Sequence, residues 1–168
     1  MIDFFSQESC TEEAVSYAEF GLVDIKDSPK PAFSTISKET EWIAIIKNES
    51  ISKLQFTGID RNSYFKSLFK SESKCDGLLY YKDDKNKAVI FVELKSGLNT
   101  VKWVYKAKLQ ILTTIEKFKE YHDIADFQIR KAFAANNIDP ETPVIRQNDI
   151  EEFLDLGFDF YVKPEIVM

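Results

Sequence analysis

The segment Val89–Lys95 (VIFVELK) constrains this chain most: an apolar run ends in a glutamate and, two residues on, a lysine. A carboxylate at the end of such a run is costly unless it meets a partner or a metal ion. In a strand over Ala88–Lys95 the period of two sends Glu93 and Lys95 to one face, and Val92 and Leu94 to the other. A second strand is expected over Cys75–Lys82, and the polar stretch Asp83-Asp-Lys-Asn86 suits a hairpin turn between them. That hairpin would bring Asp76, near the start of its first strand, beside the end of the second.

The rest of the chain reads around this hairpin. Ser9-Cys-Thr-Glu12 has capping-box spacing and predicts a short helix through about Phe20, closed by Gly21. Asp27-Ser-Pro-Lys-Pro31 is a loop, since two prolines stop regular structure. Trp42–Lys47 and Lys53–Ile59, separated by Asn48-Glu-Ser50, suggest two antiparallel strands. Asn62–Lys70 carries apolar residues at helical spacing, so a short amphipathic helix is expected.

After Ser96-Gly97 a long helix is expected from about Asn99 to Tyr121. Its stripe of Val104, Ala107, Ile111, Ile115 and Phe118 should face the sheet. A strand over Phe127–Ala135 follows, then a loop at Asp139-Pro140 and Pro143. Asn148 or Asp149 could cap a helix ending at Gly157. Phe158–Val167 reads as a terminal strand, with Pro164 hinting at an edge. The expected architecture is α/β, of mixed α+β type: one domain over 1–168, with a central mixed sheet flanked by helices.

Composition narrows the function classes. The net charge of −6 argues mildly against a non-specific nucleic-acid binder, although a carboxylate metal site adds negative charge by itself. Five glycines and no phosphate-cradling motif argue against a nucleotide-triphosphate or dinucleotide fold. Cys10 and Cys75 lack metal-type spacing and read as reduced thiols. Cys75 is expected to be a small buried hydrophobe, since no histidine is placed to activate it. The start MIDFFSQESC is no secretory signal and no apolar window suits a membrane span, so the expected location is cytoplasmic.

Two carboxylates, Asp76 and Glu93, with the backbone carbonyl of Leu94, form the hard oxygen set that Mg²⁺ or Mn²⁺ prefers. Such an ion polarises a phosphate and activates a coordinated water, and Lys95 would orient that water and stabilise phosphate charge. The bland alternative for Glu93 and Lys95 is a solvated edge-strand face with a weak ion pair. Lys66, Lys70 and Lys74, or Lys102, Lys106 and Lys108, could meet a phosphate backbone or be solvated faces. His122 reads as a capping or surface residue, and Trp42 and Trp103 as core or core-edge residues.

Cys75-Asp76-Gly-Leu-Leu followed by Phe91-Val-Glu93-Leu-Lys95-Ser-Gly97 resembles the PD-(D/E)XK nuclease signature, with Cys75 replacing the proline. The resemblance covers roughly residues 74 to 97, and extends to about 121 with the following helix. It implies a restriction-endonuclease-like core and a Mg²⁺- or Mn²⁺-dependent nuclease; the expected substrate is DNA ahead of RNA, and the expected setting is restriction, phage defence or repair, among which the family does not decide. Asp76 and Glu93 would bind metal and Lys95 would serve catalysis. By likeness to RecB-type members, Gln110 on the following helix would support them, although the tyrosine that normally follows that glutamine is absent. The upstream acid of many members could be Glu12, Glu13, Glu19, Glu41 or Glu72. Specificity would come from a homodimer or a partner subunit. The alternative is a catalytically inactive nuclease-fold interaction protein, an inhibitor or assembly subunit.

Overall fold

A computed structural model describes residues 2–97, 102–138 and 145–168. The expected helix start at Asn99 and the loop at Asp139-Pro140 and Pro143 lie outside these residues. The chain is mixed α/β. Strands β1 (Glu19–Val23), β2 (Phe33–Thr35), β3 (Ala44–Lys47) and β4 (Leu54–Gly58) precede a 3₁₀ turn that runs into helix α1 (Lys66–Phe69). The hairpin β5 (Gly77–Lys82) and β6 (Lys87–Lys95) follows, then helix α2 (Trp103–Lys119), strand β7 (Ile129–Asn136), helix α3 (Gln147–Asp155), and strands β8 (Asp159–Val162) and β9 (Glu165–Val167).

The strands form two sheets, one in the order β4-β5-β6-β7-β8 and the other β2-β1-β3-β9. In the larger sheet β4, β5 and β6 are antiparallel neighbours, while β7 and β8 run parallel to β6. Alternation along β6 explains the layering. Val89 and Phe91 pack with Ala107, Ile111, Ile115 and Phe118 of α2, as the helical stripe requires, whereas Ile90, Val92 and Leu94 pack against Phe20, Leu22 and Ile46 of the smaller sheet. Helices therefore cover one face of the central sheet and a second sheet covers the other, where flanking helices were expected.

Four local expectations change. The segment after Ser9 is not helical: Cys10 takes a left-handed φ of 56°, Glu12 N–H donates to Phe56 O, and Val15 bridges to Leu54. Phe20–Val23 then joins a strand whose long-range pairing outweighs the weak local helical preference. Gly21 is a strand residue here, because a Cβ would collide with the indole of Trp42.

The strands around Asn48 do not pair with each other. Buried Asn48 donates to Tyr17 O and Ser52 O and accepts the Ser52 N–H, a turn that carries the chain from the smaller sheet to the larger one. Pro164 divides the terminal segment into β8 and β9, which are edge strands of different sheets. Helix α3 has Arg146 at its N-cap, with no side-chain cap from it and, among the described residues, none from Asn148 or Asp149; Gly157 follows its end at φ 85°, as a glycine stop requires.

Among the described residues, no helix is long and apolar enough to cross a membrane. Phe118 lies at the centre of the helix-side layer, with its ring against Phe4, Phe91 and Phe127. Replacing it by alanine should cost about 3–5 kcal/mol, read as a shift in the denaturant midpoint at unchanged slope. A loss below about 1 kcal/mol would contradict this layering.

Candidate metal and phosphate site

Hairpin register brings the candidate residues together. Gly77 lies opposite Val92, so Asp76 sits beside Glu93 at the open end of the hairpin. Each carboxylate is held by the other residue's strand: Asp76 N–H donates to Glu93 Oε2 at 3.1 Å, and Leu94 N–H donates to Asp76 Oδ2 at 2.6 Å. This reciprocal clasp fixes both acids with little rotamer freedom. It also brings the Leu94 peptide to the site, while the Leu94 side chain stays in the inter-sheet core.

Asp76 is 5% exposed and Glu93 is 1% exposed, which rules out the solvated edge-strand reading. Burial is the main reason that the Asp76 carboxyl is pushed up to about 6, with Asp60 adding repulsion and the Leu94 N–H, Lys95 and Arg61 opposing it. Glu93 is raised well above the carboxylate range, again by burial first and then by the charge of Asp76. Lys95 forms an ion pair with Glu93 and donates to Gln110 Oε1 at 3.0 Å.

Helix α2 completes the frame. Gln110 Nε2 donates to Lys74 O at 3.0 Å, and one turn on the Thr114 hydroxyl accepts the Cys75 N–H at 2.8 Å. The helix thus grips the two residues that introduce Asp76, and through Gln110 it also positions Lys95. Asp76, Glu93, Lys95, Gln110 and the Leu94 peptide all fall in one place.

Three of the candidate upstream acids are engaged elsewhere. Glu12 binds Ser34, Glu19 pairs with Lys47, and Glu41 accepts from Asn137. Asp60 instead supplies a third carboxylate near Asp76, in ion pairs with Lys74 at 3.2 Å and Arg61 at 3.6 Å. Its signal was its position just past the Lys53–Ile59 strand, hidden by pairing that strand with the wrong neighbour. Asn136 was also missed; it is buried and in register with Lys95 on the parallel strand β7.

Of the lysines weighed for phosphate contact, Lys74 borders the site. Lys108 does not: it is buried between α2 and α3 in ion pairs with Asp149 and Glu152. Cys75 is fully buried, and burial pushes its thiol above the usual range, as expected of an inert hydrophobe.

Among the described residues, no group of three or more His, Cys, Asp and Glu side chains forms a ready metal cage. The donor chemistry nevertheless suits Mg²⁺ or Mn²⁺, which keep several waters and take one or two carboxylates plus substrate oxygens. Among the described residues these two buried acids, which repel each other, have a single salt bridge between them, Lys95 to Glu93, and are short of positive charge. A divalent cation would supply it.

The raised carboxyls set a sign for stability. Below about 3.8, where Asp76 is protonated folded or unfolded, there is no penalty; as pH rises toward about 6 the unfolded chain ionises first and the metal-free fold loses stability. Asp76→Asn, which keeps the acceptor for the Leu94 N–H, should escape that loss and be more stable than the parent near neutral pH by about 1–3 kcal/mol in chelator. Denaturant titrations across this pH range test it, and a variant less stable than the parent near neutrality would contradict it.

No protein-family model, curated protein or solved structure matches this chain, so the site stands on its own geometry.

Proposed function

We propose that this protein is a metal-dependent nuclease of the PD-(D/E)XK type, hydrolysing phosphodiester bonds of DNA rather than RNA. The observation that carries the reading is the convergence of Asp76, Glu93 and Lys95 at one end of the hairpin, with Gln110 holding the lysine. Asp76 and Glu93, beside the Leu94 peptide, would hold Mg²⁺ or Mn²⁺. Such an ion polarises the scissile phosphate and lowers the pKa of a bound water.

The chain's own groups do the rest. The backbone clasp keeps both carboxylates oriented before substrate arrives, so little reorganisation is needed at the moment of reaction. Lys95 can shift from Glu93 toward a phosphate oxygen or the attacking water, and its bond to Gln110 limits the rotamers it explores. Lys74, paired with Asp60 at the site's edge, is a second cation within reach of a phosphate strand. A homodimer or partner subunit would add target selection, in restriction, phage defence or repair.

The net charge of −6 favours a second reading, an inactive interaction protein that keeps the fold. Its signature would be cation binding with no cleavage of any nucleic acid.

Cleavage assays on plasmid, single-stranded DNA and RNA with Mg²⁺ or Mn²⁺ separate the two. Lys95→Ala should lower the rate by roughly 10²–10³-fold, and Asp76→Ala should abolish metal-dependent cleavage. Gln110→Ala should give a smaller loss, since it acts through Lys95. Cleavage untouched by the Lys95 and Asp76 substitutions would overturn the assignment.

A further inference from the structure

At the opposite end of α2 lies a cleft that the nuclease reading does not use. It encloses about 670 Å³ between the N-terminal segment, the outer end of β5 and the turn after α2. His122, on its wall, is twelve residues beyond Gln110, roughly 18 Å along a helix. Five rings line it: Phe5, Tyr64, Tyr80, Tyr121 and Phe127. Phe5 leans on Tyr80 at 4.4 Å between centroids, on His122 at 5.0 Å and on Phe127 at 5.9 Å, so these four rings form one aromatic patch on the wall.

The charges on the wall have one dominant sign. Asp3, Glu8 and Asp126 are carboxylates, and Lys87 is drawn 3.9 Å from Asp126. His122 protonates less readily than a free imidazole, because burial outweighs the Asp3 carboxylate, which lies 3.9 Å from the Nε2 that accepts the Phe4 N–H. The Tyr80 hydroxyl, raised first by burial and then by the Asp3 carboxylate, lies on the same wall as that acid. Phosphate is repelled by such a wall. A compact organic cation is attracted twice, by the ring faces and by the carboxylates.

We propose that this cleft is a binding site for a small organic cation bearing an alkylated ammonium group. The rings cover the methyl or methylene surface, while Asp3 and Asp126 face the charge. The volume is in the range of small-molecule pockets and exceeds what a single lysine tip would fill. The site is independent of the nuclease reading, so either can fail without the other.

Titration of the intact chain with choline, followed by calorimetry and by the ring resonances in NMR, tests the proposal. Its neutral isostere 3,3-dimethylbutan-1-ol serves as the control. Choline should bind saturably and about tenfold more tightly than the alcohol. Asp3→Asn combined with Asp126→Asn should weaken it by about tenfold, and Lys87→Gln should tighten it. Both aspartates are more than half exposed, and Asp3→Asn keeps the acceptor for the Phe5 N–H, so the fold survives. Equal binding of the alcohol, indifference to the double substitution, binding only of lysine or arginine peptides, or no saturable binding would each overturn the proposal.

Discussion

Two buried carboxylates at the end of one hairpin are the constraint around which the rest is arranged. Placing Asp76 and Glu93 side by side out of water is unfavourable, and the protein offsets that cost with backbone N–H groups from the facing strand and with Lys95. The arrangement holds only if β5 and β6 keep their register, because a slip of one residue would put the two acids on opposite faces of the sheet. Burial of Val89 and Phe91 against α2, and of Ile90 and Val92 against the smaller sheet, makes that slip expensive. The packing of the middle of the hairpin therefore positions the chemistry at its end.

Helix α2 links packing to site. Its apolar stripe seats it on the central sheet, and its polar residues Gln110 and Thr114 are then directed at the backbone of Lys74 and Cys75. Lys108 binds the same helix to α3 through Asp149 and Glu152, so a lysine expected either on a phosphate backbone or on a solvated face is a buried tie between helices. Retaining a strained charge pair in a well-packed frame exchanges stability for a poised site, a familiar balance at functional centres.

What the sequence made legible follows from locality. The hairpin was readable because the Asp83–Asn86 turn and the period-two run lie within one short segment, and α2 because its stripe persists over several turns. The smaller sheet was not, because Glu19–Val23 finds its partners in residues 33–35 and 44–47, pairings that no local pattern announces. Gly21 and the capping-box spacing imitated a helix, and the turn at Asn48 imitated a simple hairpin. That last misreading also concealed Asp60: β4 pairs with β5, with the Ile59 N–H on Asp76 O, which carries Asp60 to the site. Asp76, Glu93, Lys95 and Gln110 were all identifiable because they sit on the most local and most strongly patterned part of the chain.

The proposed nuclease activity requires the clasped carboxylates to grip a divalent cation. The most direct measurement is a crystal grown with Mn²⁺ and examined for anomalous scattering. It should contain one strong peak in contact with carboxylate oxygens of both Asp76 and Glu93, absent from Asp76→Asn. A clasp without a peak between these residues at saturating Mn²⁺, or a peak only at some other cluster, would contradict the account.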